Sequence, residues 1–430
     1  MKKKFILILL ILSLTILFPF FYIEEIRSIL RTKLPLEIKI KFKETVFGKE
    51  YMEEIEYLKK TGYNKRIFPD TQFDILEVKK YLIDDLDILE QSHYDKIKNT
   101  RSNRYRFYLE KIKNDIIIAT VSGSIRVVKD LDFENIINIQ TNLDIFEDKL
   151  IMDSKVIDGY LYLSLNANQD AEKKNCKYFY VVKAKYDEKF LDFSNFYESD
   201  ECALNNYGGR ISQGKISEKN GLILSTGATE TEANLAQDDK SHMGKFLFFD
   251  FKDPEPQIIS KGHRNPQGLY AEGNLILSTE HGPYGGDEIN KIELGKNYGW
   301  PIVSLGDSYE FENLGSEERQ KKLDYKYKKD HQADGYTDPI FTYVPSIGIS
   351  EIIKVPGEFS KYWQNNFLIA SLNGGSLYRV SFDKNFNKII YSEQIEILDR
   401  IRDIIYIPQI KSFALSLEDH GEIWLLKSKK

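Results

Sequence analysis

The residues best suited to chemistry lie between 262 and 301, in GHRNPQGLYAEGNLILSTEHGPYGGDEINKIELGKNYGWP. Arg264 and Asn265 precede a Pro-Gln-Gly turn, and the short apolar run from Leu275 to Leu277 reads as a strand. Its far end carries Glu280, His281, Gly282 and Pro283, and a second glycine turn, Gly285-Gly286, presents Asp287 and Glu288. Polar groups gathered at both ends of a turn-strand-turn unit suit a site better than a core. A tight Gly-Pro turn can aim the carbonyls of Gly282 and Pro283 at one point, as a hard cation such as Ca²⁺ prefers. Asp287 and Glu288 are placed to complete or support such a site, although the ligand spacing is not that of an EF-hand. The competing use of these two carboxylates is turn capping and surface charge.

A second cluster, Asp399-Arg400-Ile401-Arg402-Asp403-Ile404, carries chemistry suited to anions. On a strand, residues i and i+2 share a face, so both guanidinium groups can point the same way. Two parallel arginines need either an anion between them or neutralisation by Asp399 and Asp403, and the sequence leaves both open.

These clusters need a scaffold, and an internal repeat supplies one. Leu222-Ile223-Leu224-Ser225-Thr226 recurs as Leu275-Ile276-Leu277-Ser278-Thr279, and looser copies start at Ile116, Leu161, Leu368 and Phe413. Each copy is too short to bury a face alone, so the copies must stack. Repeats of this length with several strands each point to an all-β fold, a six-bladed β-propeller over 105–430. The long interval between the copies at 275 and 368 implies a polar surface insertion around 302–340. The copies do not end alike. The one at 275–279 runs into Glu-His-Gly-Pro, which marks its blade as part of a site at one end of the central channel.

The N-terminus reads differently. Lys2, Lys3 and Lys4 precede an uncharged apolar run over 5–22, and Glu24 and Glu25 close it. Residues 1–23 are therefore expected to be an uncleaved signal-anchor, with the lysines cytoplasmic and the propeller outside the cytoplasm. Residues 24–104 form an extension expected to be partly helical, because Ile75, Val78, Leu82, Leu86 and Leu89 recur at intervals of three and four over 73–91. Cys176 and Cys202, the only cysteines, either pair in an oxidising compartment or remain two buried thiols. A net charge of −6 with mixed acidic and basic residues excludes the basic surface of a nucleic-acid binder.

Several stretches appear in order that together resemble the PQQ-dependent aldose sugar dehydrogenases, the glucose/sorbosone dehydrogenase family. They are Gly208-Gly209-Arg210, Ala236-Gln237-Asp238, residues 262–269, 279–283, 286–290 and 297–301, Pro345-Ser346-Ile347, 372–380 and Arg400-Ile401-Arg402-Asp403. The resemblance covers about 105–427. It implies a six-bladed propeller in agreement with the repeat count, and a sugar oxidised at C1 with electrons passed to an external acceptor. By resemblance Arg264, Asn265, Arg400 and Arg402 hold the carboxylates and quinone of PQQ. The carbonyls of Gly282 and Pro283 match ligands of its Ca²⁺, and Glu288 with the Tyr298 carbonyl matches a second calcium site.

The chain also departs from that pattern. The family's general base is a histidine four residues before the arginine of the Gly-Gly-Arg motif, where this chain has Asn206, with Asn205 in place of the acidic neighbour. No histidine occurs between His93 and His242 to replace it. A carboxamide does not accept a proton at ordinary pH, and losing a positioned base costs about 10²–10⁴ in rate. Asn373 stands where the family has a PQQ-contacting lysine. Two functions from different classes follow: a membrane-anchored sugar dehydrogenase using PQQ and Ca²⁺, or a non-catalytic propeller that binds a carbohydrate or other ligand.

Overall fold

Each copy of the sequence repeat forms the second strand of a separate sheet: Asp115–Thr120, Tyr160–Asn168, Lys219–Thr226, Leu275–Glu280, Phe367–Ser371 and Ser412–Leu417. In the computed structural model, six sheets of four or five strands follow one another along the chain, giving the six-bladed propeller that the repeat implies. The structure describes residues 76–83, 86, 104–168, 176–203, 207–307 and 327–429. The expected anchor over 1–23, most of the extension over 24–104, Asn205 and Asn206, and residues 308–326 of the insertion lie outside the described residues.

The repeat strands are apolar on both faces because each is covered on both sides. Hydrophobic clusters fill the spaces between successive blades, for instance Ile117, Ile151, Leu163 and Val182 between the first and second. Leu222, Leu224, Val181 and Phe249 do the same between the second and third. A strand sandwiched in this way needs near-continuous Ile, Val and Leu rather than alternation. Helix is confined, among the described residues, to short 3₁₀ turns such as Glu230–Ala236.

One expectation is overturned. Leu76–Leu82 is not part of a helix over 73–91 but a strand, paired antiparallel with Glu422–Ser428 from Leu76 opposite Ser428 to Leu82 opposite Glu422. It is the outer strand of the sixth blade, whose other strands are Ile401–Ile407, Ser412–Leu417 and Glu422–Ser428. Intervals of three and four also occur in a strand edge that buries Leu76 and half-buries Val78. An unpaired edge on the last blade decides between the two readings.

Within every blade the first strand is antiparallel to the second, so the start of one lies beside the end of the other. Residues that precede first strands and residues that follow second strands therefore gather at the same end of the channel. That rule brings Arg106, Arg264, Asn265 and Arg400 together with Glu280 to Pro283, Asn373 and Glu418.

Candidate functional site

The innermost strands are shaped to aim side chains inward. Their pairing with the second strands slips between Gly208 and Ile211, Pro266 and Gly268, Ile349 and Ile352, and Ile401 and Asp403. The slips contain Arg210, Gln267, Glu351 and Arg402. A bulge re-aims the side chain it carries, and here each is turned into the channel region. Arg210 is fully buried. Its Nη1 lies 3.0 Å from Glu351, 3.2 Å from Asp153 and 3.5 Å from Asp403, while Nε donates to the Gln267 carbonyl and Nη2 to the Arg402 carbonyl. One guanidinium thus ties five blades. The same carboxylates accept from backbone amides of neighbouring blades: Asp153 from Ile211, Glu351 from Leu269 and Asp403 from Leu109.

Gly208 and Gly209 permit this approach. Both have positive φ, 84° and 91°, and a Cβ on Gly209 would overlap Met152 of the second blade. Only glycine takes that conformation without strain.

Above the Arg210 hub sits the arginine cluster, and its neutralisation differs from expectation. Asp403 belongs to the hub, and Asp399 accepts from the Asp419 amide and bonds His420 Nδ1. The counterion is Glu418, which sequence reasoning missed. Its Oε1 accepts from Arg402 Nε at 2.7 Å and Arg106 Nε at 3.3 Å, and its Oε2 accepts from Arg400 Nε at 2.8 Å. Burial alone would raise the Glu418 carboxyl, but Arg402, then Arg400 and Arg106, hold it well below the usual carboxylate range. Around Glu418 three guanidiniums face one carboxylate, whereas in the hub one guanidinium faces three carboxylates. A signal for Glu418 was present. It directly follows the repeat copy at 413–417, as Glu280 follows the copy at 275–279.

Gln267 joins this cluster to the fourth blade: its Oε1 accepts from Arg402 Nη1, and its Nε2 donates to Asn265 Oδ1. Asn265 Oδ1 also accepts the Gly208 amide at 3.1 Å, so Asn265 spans the third and fourth blades. Arg264 Nη1 donates to the carbonyls of Gly282, at 2.9 Å, and His281, and its guanidinium lies 5.3 Å from the Trp300 ring centre. The Arg264 amide donates to Glu280, which also takes His263 Nδ1 at 3.0 Å. Burial brings the His281 imidazole down to about 4, so it is neutral at ordinary pH. Asn373 lies in the turn of the fifth blade, where the flanking amides of Leu372 and Gly374 bond the Gly348 and Ile347 carbonyls.

The proposed metal ligands divide. Asp287 does not reach out to a cation: it accepts from the amides of Gly282, Ile347 and Ile349 and from Ser346 Oγ, fixing the Gly282-Pro283 turn from behind. The Gly282 carbonyl is engaged by Arg264, so a cation there would share it with a guanidinium. Glu288 fits a cation better. Burial pushes its carboxyl up to about 8, with Glu280 and Asp287 adding to the shift. Asn290 Oδ1, fully buried beside it, has no hydrogen-bond partner. A carboxyl that burial and neighbouring carboxylates keep protonated, next to an orphaned oxygen, is one that a hard cation would ionise and engage. Among the described residues no three His, Cys, Asp or Glu side chains converge on a metal position, so such a site would need backbone carbonyls such as that of Tyr298.

Cys176 and Cys202 form a disulfide at the ends of the paired strands Lys177–Lys185 and Ser194–Ala203, just before the residues leading to Asn206.

Comparison with known proteins identifies the family. The family model described as glucose/sorbosone dehydrogenase matches residues 112–425. An uncharacterized Synechocystis protein is 27% identical over 354 residues, 73% of this chain and 81% of that protein. An aldose sugar dehydrogenase of Escherichia coli K12 is 27% identical over 238 residues, covering 51% of this chain and 59% of the relative. The structure of the PQQ-bound form of an aldose sugar dehydrogenase from Streptomyces coelicolor superposes with a TM-score of 0.56 at 17% identity, over 82% of this chain and 99% of that one. The chain belongs to the glucose/sorbosone dehydrogenase family.

Proposed function

We propose that the channel end binds PQQ with Ca²⁺ and acts as a sugar dehydrogenase site on C1 of an aldose, with the propeller held outside the cytoplasm by residues 5–22. The carrying observation is the guanidinium cluster. Nη1 and Nη2 of Arg400 and Nη2 of Arg402 bond no protein group among the described residues, while Glu418 pins each guanidinium through Nε. Such a cluster suits a ligand bearing several carboxylates. When bound, PQQ supplies the two-electron acceptor for the sugar's hydride, and an external acceptor then takes the electrons. The chain's own part is to bind and orient. Arg400 and Arg402 grip carboxylates, Arg264 and Asn265 hold the fourth-blade side, and Glu288 with Asn290 and the Tyr298 carbonyl would hold a cation.

The proton side is different. Asn205 and Asn206 offer no base, so a turning-over site would pass the hydroxyl proton to water or to a carboxylate from elsewhere in the chain. Those carboxamides favour a second reading, a propeller that binds its ligand without oxidising sugar. The two readings separate when the purified protein is supplied with PQQ and Ca²⁺ and assayed for cofactor binding and for dye reduction with a panel of aldoses. Turnover supports the dehydrogenase. Tight binding without turnover, with activity gained in Asn206→His, establishes the second reading. Absence of PQQ binding sinks the first.

A further inference from the structure

We infer that Arg106, in the segment entering the first blade, is a ligand-binding residue of this site and grips a carboxylate of a small polyanion together with Arg400 and Arg402. The inference rests on the reading of the channel end as a holder of a PQQ-like polycarboxylate.

Arg106 reaches the cluster from the opposite side of the ring seam. Its Nε bonds Glu418 Oε1, the same oxygen that takes Arg402 Nε, so the two guanidiniums lie side by side. Its backbone is fixed on both sides: the adjacent Tyr105 amide donates to the Glu418 carbonyl at 2.8 Å, and the Val121 amide donates to the Arg106 carbonyl at 3.0 Å. The segment is therefore built onto the cluster rather than resting against it.

Arg402 and Arg400 already pair with Glu418 at 2.7 and 2.8 Å, so Arg106 is not needed to keep that carboxylate from being buried unpaired. A third guanidinium at 3.3 Å adds repulsion between like charges inside a largely buried cluster. Arg106 is also the most accessible of the three. Its side chain is 21% exposed, against 11% for Arg400 and 4% for Arg402, and its two terminal nitrogens bond no protein group among the described residues. Guanidinium termini left open beside two other guanidiniums are what a planar carboxylate fills bidentately.

The test is titration calorimetry of the full-length protein with PQQ and, separately, with citrate as a plain tricarboxylate, in wild type, Arg106→Ala, Arg106→Gln and Arg106→Lys. Urea unfolding reports the structural role. The expected result is a Kd about tenfold to a hundredfold weaker for both probes in the Ala and Gln variants, with a shallower salt dependence and partial recovery by Lys. Wild-type Kd in the Ala and Gln variants, with only the unfolding midpoint lowered, would reduce Arg106 to a counterion and overturn the inference. Wild type that binds citrate but not PQQ, with citrate binding weakened in the variants, would keep the Arg106 assignment and remove the PQQ reading. Binding of neither probe would overturn both.

Discussion

Glu418→Gln tests whether one buried carboxylate organises the arginine cluster. Its side chain is 1% exposed and receives three Nε donors, at 2.7, 2.8 and 3.3 Å. Glutamine keeps the shape, removes the charge and turns one acceptor into a donor facing a guanidinium. Removing one partner of a buried ion pair costs about 3–5 kcal/mol. Arg106 is partly open and can rehydrate, so the lower end applies, about 3 kcal/mol at pH 7. The pH dependence has a definite sign. Glu418 is held below its ordinary range, so its contribution is present above the unfolded value of about 4.3 and is lost as pH falls through the lower folded value. The gap between wild type and variant should therefore be full at pH 7 and close in strong acid. Urea unfolding followed by tryptophan fluorescence at several pH values measures it. A loss below about 1 kcal/mol at pH 7, or a loss that does not shrink in acid, would refute the assignment of Glu418 as the organising counterion.

Two further outcomes follow from the hub. Burial pushes Glu351 up to about 8, with Arg210 opposing and Asp403 and Asp153 adding, and burial likewise takes Asp153 to about 6. A carboxyl raised in the folded state favours folding most below the unfolded value and loses that contribution as pH rises to the folded one. The unfolding midpoint should thus fall between pH 5 and 8, and Glu351→Gln should flatten the fall by on the order of 2 kcal/mol; an equally steep fall in the variant would assign the slope to other groups. Gly209→Ala should destabilise by about 2–4 kcal/mol, combining overlap with Met152 and a Cβ at positive φ, and calorimetric melting would expose the error if the variant matched wild type.

How much of this was legible in the sequence depends on range. The repeat copies are local, and all six became second strands. Arg264, Asn265, Arg400 and Arg402 converge at one channel end because strand order puts them there. Their partners were less visible. Arg106 and Glu418 stand 312 positions apart and meet only when the ring closes, so no local pattern joins them. Asp399 and Asp403 flank the arginines in sequence, yet on a strand their side chains serve other neighbours. The segment 76–82 misled for a related reason: its apolar spacing fits a helix, and a partner at the other end of the chain overrides local preference.

That pairing of Leu76–Leu82 with Glu422–Ser428 bears on how the ring is kept shut. The sixth blade joins strands roughly 350 residues apart, a loop whose closure costs about 5 kcal/mol in chain entropy. The pairing cannot form before residues 422–428 are synthesised, after the strands of every other blade. The Arg106–Glu418 contact lies across the same seam, between the first blade and the sixth. A ligand gripped from both sides of that seam binds the closed ring alone, and mass action then makes it a clasp: at a hundred times its Kd it would favour closure by about 2.7 kcal/mol. Ligand supply would in that way govern how long the propeller stays whole, whether or not any sugar is oxidised.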